Sequence, residues 1–251
     1  MKWFFYFLLG LWLLLAGPIG VLLFGDLDLA SSWQSASQES AGIAPPPKEN
    51  TEAIIQVYAA RTWSWRGAFA VHTWISFKRS QEAFYHLSQV VGFLQHTTRD
   101  GKVLQHLTDT IPDPYWYGSP PELLAEIRGG QEVDLIIDRL ENAIEQYPYP
   151  FEYRMWPGPN SNTFTAFVAR QLPELKLDLP PTAIGKDFLE HGQWWGTAPS
   201  GTGKQLSLYG LLGIMVAVEE GIELNLLSLT VGIDPLDLAI KYPGIGRIGW
   251  R

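Results

Sequence analysis

Apolar and polar positions alternate in three different ways along this chain. From Trp3 to Phe24 the run is apolar and uncharged for 22 residues, long enough to cross a hydrocarbon core of about 30 Å at about 1.5 Å per residue. This predicts one membrane-spanning anchor over residues 3–24, with the lipid bilayer as its partner. A cleaved signal would carry an apolar region of only about 7–15 residues, and Ala30-Ser31-Ser32 and Ser35-Ala36-Ser37 are weak cleavage sites. Lys2 precedes the run while Asp26 and Asp28 follow it. The positive-inside rule then predicts a single-pass protein of the inner or cytoplasmic membrane, with everything after the anchor outside the cytoplasm. Residues 25–52 lose all apolar periodicity, turn to Ser, Gln, Ala and Pro, and contain Pro45-Pro46-Pro47. They read as a flexible linker.

Period-two and helical patterns share the remainder, residues 53–251, which reads as one α+β domain. Ala53–Arg61, Val71–Lys78 and Ala83–Val91 are rich in β-branched and aromatic residues and predict antiparallel strands. In the second of these, alternation places Val71, Thr73, Ile75 and Phe77 on one face. His72, Trp74, Ser76 and Lys78 take the other, so His72 points away from the more apolar side. Ser119-Pro120-Pro121-Glu122 has the form of a capping box and predicts a helix that ends at Gly129-Gly130. A second helix is predicted from Gln131 to about Gln146, with Val133, Ile136, Ile137, Leu140 and Ile144 on one stripe. Phe164, Phe167, Val168 and Leu172 predict a third, whose N-cap falls at Ser161 or Asn162. Towards the C-terminus, Leu206–Val218 and Ile222–Val231 predict strands around the turn Glu219-Glu220-Gly221. A second membrane span is the weaker reading, because the first run is short and the second contains Glu223 and Asn225.

Composition narrows the function. A net charge of −8 and a pI near 5.1 argue against nucleic acid as a partner. The absence of cysteine removes disulfides, thiolate metal sites and thiol catalysis. His96, His106 and His191 lack metal-ligand spacing, although the first two would meet across a hairpin, and the sequence calls for no metal and no cofactor. Ser200-Gly201-Thr202-Gly203-Lys204-Gln205 departs from a phosphate loop at both ends, since Ala198 stands five before Gly203 and Gln205 follows Lys204.

The richest stretch is Trp156-Pro157-Gly158-Pro159-Asn160-Ser161-Asn162-Thr163-Phe164, where a serine stands between two asparagines at a helix start. With His72 on an earlier strand, this order resembles the circularly permuted branch of the papain-like fold, the NlpC-type and lecithin:retinol acyltransferase-like proteins. Those proteins carry their nucleophile in an Asn-Cys-Asn-like context. The span from Tyr58 to Arg251 also resembles an uncharacterised family of bacterial membrane-associated proteins, with which it shares Gly185-Lys186-Asp187-Phe188, a motif that has no evident chemical role. The resemblance implies an antiparallel sheet packed with helices and places Ser161 where the cysteine would be, with His72 as its base. It implies a third, orienting group on the next strand. His86 fits best by position, while Ser88 or Gln89 face the site equally well if the register differs.

Two functions follow. In the first, the domain is catalytically silent and binds an envelope peptide, glycan or lipid, with Asn160, Asn162, Trp74 and Trp156 at the cleft. In the second it is a serine-dependent hydrolase or acyltransferase acting on an envelope amide or ester, with the amides around Ser161 and Asn162 stabilising the oxyanion. The bland alternative for Ser161 is a helix N-cap worth about 1 kcal/mol. Trp63-Ser64-Trp65, Tyr115-Trp116-Tyr117 and Trp194-Trp195 are candidates to line a groove, or to pack in the core or at an interface.

Overall fold

A computed structural model of the chain describes residues 2–29 and 32–249. Ala30 and Ser31, part of one weak cleavage candidate, lie outside the described residues, as do Trp250 and Arg251 at the end of the expected domain. The fold is α+β, with an N-terminal apolar helix α1 (Lys2–Phe24) and two antiparallel sheets.

Alternating β-branched and aromatic residues build the first sheet from β1 (Ala53–Arg61), β2 (Val71–Lys78), β3 (Tyr85–Val90), β4 (Leu104–Thr110) and β5 (Glu122–Gly129), in the order β4-β3-β2-β1-β5. A single helical turn, α2 (Leu94–Thr97), connects β3 to β4. One face packs Ile55, Val57, Ile75, Phe77 and Val90 against helices α3 (Gln131–Glu145) and α4 (Ser161–Gln171). The predicted stripe of α3 supplies Val133, Ile137, Leu140 and Ile144 to this core, while α4 supplies Phe164, Phe167 and Val168. Each such side chain contributes about 1.5–3 kcal/mol when fully buried. The opposite face holds Tyr58, Ala60, Trp74 and Leu87, covered by Leu107, Trp116 and Leu123.

The segment ahead of Gly129 is not the expected helix. Residues Glu122–Gly129 pair with β1 as an edge strand, placing Ala125 opposite Val57 and Ile127 opposite Ile55, with Glu126 beside Gln56. Pairing and burial outweigh the helical preference of Leu-Leu-Ala-Glu, and Pro120-Pro121 lie where a sheet edge tolerates them.

The expected linker is held against the domain over its second half. Asp113 accepts hydrogen bonds from the Ile43 amide (2.5 Å), the Ala44 amide (3.0 Å) and the Ser40 hydroxyl (2.6 Å). The Tyr115 amide donates to the Glu39 carbonyl and the Tyr85 hydroxyl to that of Pro45. A buried carboxylate, the hydroxyl of the buried Tyr85 and a backbone amide thus find their partners in a segment that has no core of its own.

The C-terminal half forms a seven-stranded meander: β6 (Trp195–Thr197), β7 (Gly203–Leu208), β8 (Leu212–Ala217), β9 (Gly221–Leu226), β10 (Leu229–Asp234), β11 (Ala239–Tyr242) and β12 (Gly246–Ile248). The Glu219-Glu220 hairpin forms with Ala217 opposite Gly221, whose φ is +73°. Each of the two long strands expected around it is two strands. Tyr209-Gly210 breaks the first and Leu227-Ser228 the second, all four residues at positive φ. Helix α1 meets this sheet. The Tyr242 hydroxyl donates to the Leu13 carbonyl, and a Cβ at Gly17 would collide with the Pro243 carbonyl.

Candidate functional site

The N-terminus of α4 is fixed by Asn160, which is its cap in place of the expected Ser161 or Asn162. The Asn160 Oδ1 accepts from the amides of Asn162 (3.0 Å) and Thr163 (3.2 Å), and the Asn160 amide donates to the Thr163 hydroxyl (3.1 Å). Its Nδ2 donates to the carbonyls of Met155 and Ile184. Asn162 ties the helix to β2, with Nδ2 donating to Val71 O (3.0 Å) and Oδ1 accepting from the Thr73 hydroxyl (3.0 Å). Both asparagines are therefore consumed in positioning the turn.

Ser161 occupies the first helical position and is 4% exposed. Neither its amide nor its hydroxyl has a hydrogen-bond partner among the described residues. Of the two amides expected to face an oxyanion, only that of Ser161 is free, because Asn162's is taken by the cap.

His72 is the second residue of β2 and lies beyond the β2–β3 ladder, which begins at Ile75 opposite Ser88. Its face therefore opens at the end of the sheet, where it and Ser161 line one cavity of about 210 Å³. No hydrogen bond joins their side chains among the described residues. The side chain that bonds His72 from the next strand is that of Gln89. Its Nε2 donates to Gln105 Oε1 (2.9 Å), so its Oε1 faces His72 Nε2 at 2.8 Å and accepts that proton. This leaves His72 Nδ1 as the acceptor nitrogen. Burial pushes the imidazole down to about 4, against the Gln89 bond, which raises it.

His86 does not reach the site. It sits opposite Phe77 on the face that packs towards the helices, stacks on Phe77 at 5.0 Å and bonds Glu82 (3.0 Å) and Thr108. Ser88 shares that face and bonds His106. Trp74 is buried behind His72, its indole donating to Pro112 O (2.9 Å), and does not line the cavity. Trp156 also lies outside it. Half exposed, it donates to Leu227 O and links the helix approach to the β9–β10 turn.

Two further residues line the cavity, Trp116 from an aromatic cluster expected to line a groove or pack, and Arg66, which the sequence did not single out. Trp116, from the Tyr115–Tyr117 cluster, stacks on His72 with ring centroids 3.6 Å apart and planes 9° apart. Arg66 lies over the Trp65 ring and has no carboxylate partner among the described residues. Burial raises the phenol of neighbouring Tyr153, an effect Arg66 partly offsets. Among the described residues no group of three or more His, Asp or Glu side chains is placed to hold a metal.

The chain matches the family described as protein of unknown function, DUF3750, over residues 52–188, more than half of its length. It belongs to the DUF3750 family. No curated protein and no solved structure matches it. The DUF3750 match takes in the first sheet, α3, α4 and Gly185–Phe188, and ends before the seven-stranded sheet, short of the Arg251 limit expected from sequence. In this DUF3750 protein, Gly185–Phe188 is a structural clasp. Gly185 has φ +99°, and a Cβ there would collide with Asn160. Its carbonyl accepts from the Thr163 hydroxyl (2.8 Å). Lys186 and Asp187 then reach Glu223 and Asn225 of the second sheet.

Proposed function

We propose that this chain is a membrane-anchored, extracytoplasmic domain of permuted NlpC/papain-like kind that binds an envelope ligand and has lost the reaction of that site. The observation that carries the reading is the Ser161 hydroxyl, which lines the same cavity as His72 and makes no hydrogen bond to it. A hydroxyl with no base at its proton is a poor nucleophile, and a hydroxyl lacks the ready ionisation of a thiol. The cavity, about 210 Å³, lies below the range of about 300–1,000 Å³ usual for whole small-molecule pockets. It suits one end group of a larger peptide, glycan or lipid. Arg66, free of carboxylate partners, and the free Ser161 amide favour an anionic end group.

A second reading is favoured by the His72–Gln89–Gln105 chain, which holds the imidazole in one tautomer. In it, His72 Nδ1 takes the Ser161 proton as Oγ attacks an amide or ester carbonyl, and the oxyanion meets the Ser161 amide. His72 then returns the proton to the leaving amine or alkoxide, and water releases the acyl group by the same route. Labelling of the full chain with a fluorophosphonate separates the two. The binding reading expects no signal above Ser161→Ala. Labelling abolished by both Ser161→Ala and His72→Ala in folded protein would replace it with the serine mechanism.

A further inference from the structure

The seven-stranded sheet is inverted in polarity. Its inward positions include Gln205, Glu223, Asn225 and Lys241, each at most 3% exposed, with Lys241 Nζ bonded to Glu223 Oε1 (2.8 Å) and Asp178 Oδ1 (2.5 Å). Its outward positions are aliphatic. One cross-strand row runs Val216, Ile222, Ile233, Ile240, Ile248 from β8 to β12, and a second runs Leu206, Ile214, Leu224, Val231. Val216, Ile233, Ile240 and Ile248 are 52–57% exposed. Lys204, at the β7 end of the first row, is the only charge in either. Scattered exposed leucines are ordinary, but a contiguous face of this extent marks a surface that is covered in use.

What covers it is indicated by α1. The turn after β11 touches the helix at Leu13, Gly17 and Pro18, through Tyr242, Pro243 and Gly244. Only residues 2–12 of the helix stand clear of these contacts, about 17 Å at 1.5 Å per residue, which is short of a hydrocarbon core of about 30 Å. A helix crossing a bilayer from this position must therefore have the β11–β12 edge beside it within the apolar slab. The aliphatic face begins at that edge and is continuous with it, while Trp194 and Trp195, at 69% and 51% exposed, mark its far end. Exposed tryptophans at the border of an apolar surface are the usual residues of a lipid–water boundary.

We propose that the outer face of the seven-stranded sheet lies in the interfacial layer of the bilayer that α1 crosses, with its Ile, Leu and Val side chains among the acyl chains. The proposal rests on α1 being a membrane anchor and is independent of the Ser161 site. It gives the sheet a reason for its inverted polarity, since the charged row is inside and the only charge in the lipid-facing rows is Lys204, at the β7 end.

The chain has no cysteine, so single labels are placed without a background. Full-length variants Ile222→Cys, Leu224→Cys, Ile233→Cys and Ile240→Cys, each carrying bimane, are reconstituted in phosphatidylcholine vesicles with or without doxyl-labelled lipid. Glu145→Cys, on the exposed end of α3, is the control. The expected result is quenching of the sheet labels by doxyl lipid to roughly a third or less, with Glu145→Cys unaffected. Four separate positions keep the result readable if one variant fails to fold. Sheet labels untouched by doxyl lipid but quenched by aqueous iodide would overturn the proposal. Labels untouched by either quencher would also overturn it, in favour of a second copy of the chain or another protein on this face.

Discussion

His72 carries most of the chemistry at the residue scale, and its burial sets a pH signature. In the folded chain its pKa is pushed down to about 4 by burial, from an ordinary value near 6.5. Above pH 6.5 the imidazole is neutral in both states and costs nothing. As pH falls below 6.5 the unfolded chain takes up a proton that the folded chain refuses until about pH 4, so stability is lost across that window. At pH 5 this one group removes about 2 kcal/mol, and urea unfolding at pH 7.5 and pH 5 should show that the His72→Gln variant loses less stability than the native chain. Equal losses would mean that His72 is not the buried neutral group described. Its partner gives a second expectation. Gln89→Ala leaves the His72 Nε2–H unpaired in the interior, a cost of about 1–3 kcal/mol in denaturant titrations. The face of His72 was legible from alternation alone. Gln89 was not singled out, because its side of the sheet depends on the β2–β3 register, and one residue of slip exchanges the roles of Ser88 and Gln89.

At the scale of elements, the start of α4 is clamped between β2 and the segment around Ile184 by residues that look interchangeable in sequence. Asn160 supplies the cap and two further donations, Asn162 holds Val71 and Ile184, and the Ser161 hydroxyl between them holds nothing among the described residues. Asn160→Ala should therefore destabilise the fold by about 2 kcal/mol, whereas Ser161→Ala should stay within about 0.5 kcal/mol of the native chain. Thermal unfolding of the two variants checks the assignment, and a Ser161→Ala loss as large as that of Asn160→Ala would return Ser161 to the role of a cap. The pattern of Asn-Ser-Asn told that a helix starts here but not which residue caps it, since each of the three is a good cap. The first two strands could be read to the residue because both are rich in β-branched side chains and end in turn chemistry. The strand Glu122–Gly129 could not, for its Ser-Pro-Pro-Glu entry is a true helix signal that tertiary pairing with β1 overrides. The breaks at Tyr209-Gly210 and Leu227-Ser228 were hidden for a related reason. Only Gly210 among those four residues announces a positive φ.

At the scale of the whole molecule, anchor and sheet act as one apolar surface rather than as a helix with a distant cargo. The helix is long and apolar enough to span a membrane, yet its second half meets the meander through Gly17 and Pro18. Sequence made the helix legible but not this contact, nor the meaning of Leu206–Val231, where alternation was plain and the side facing water was not. An alternating strand normally turns its aliphatic residues inward; here Glu223 and Lys241 satisfy one another inside, which frees the aliphatic face to point out. A chain lacking residues 2–32 tests whether the sheet binds membrane by itself. With no spanning helix, it should still float with phosphatidylcholine vesicles. Because the full chain carries a net charge of −8, attraction to anionic headgroups cannot supply that binding. Flotation should therefore survive high salt and should not be strengthened by anionic lipid. Val216→Lys, Ile222→Lys, Ile233→Lys and Ile240→Lys combined in the truncated chain place four charges on one row and should release it into solution, although they add positive charge that anionic vesicles would attract. Flotation of that variant on neutral vesicles, or failure of the truncated chain to float at all, would leave α1 as the sole membrane contact and the aliphatic face in need of a protein partner.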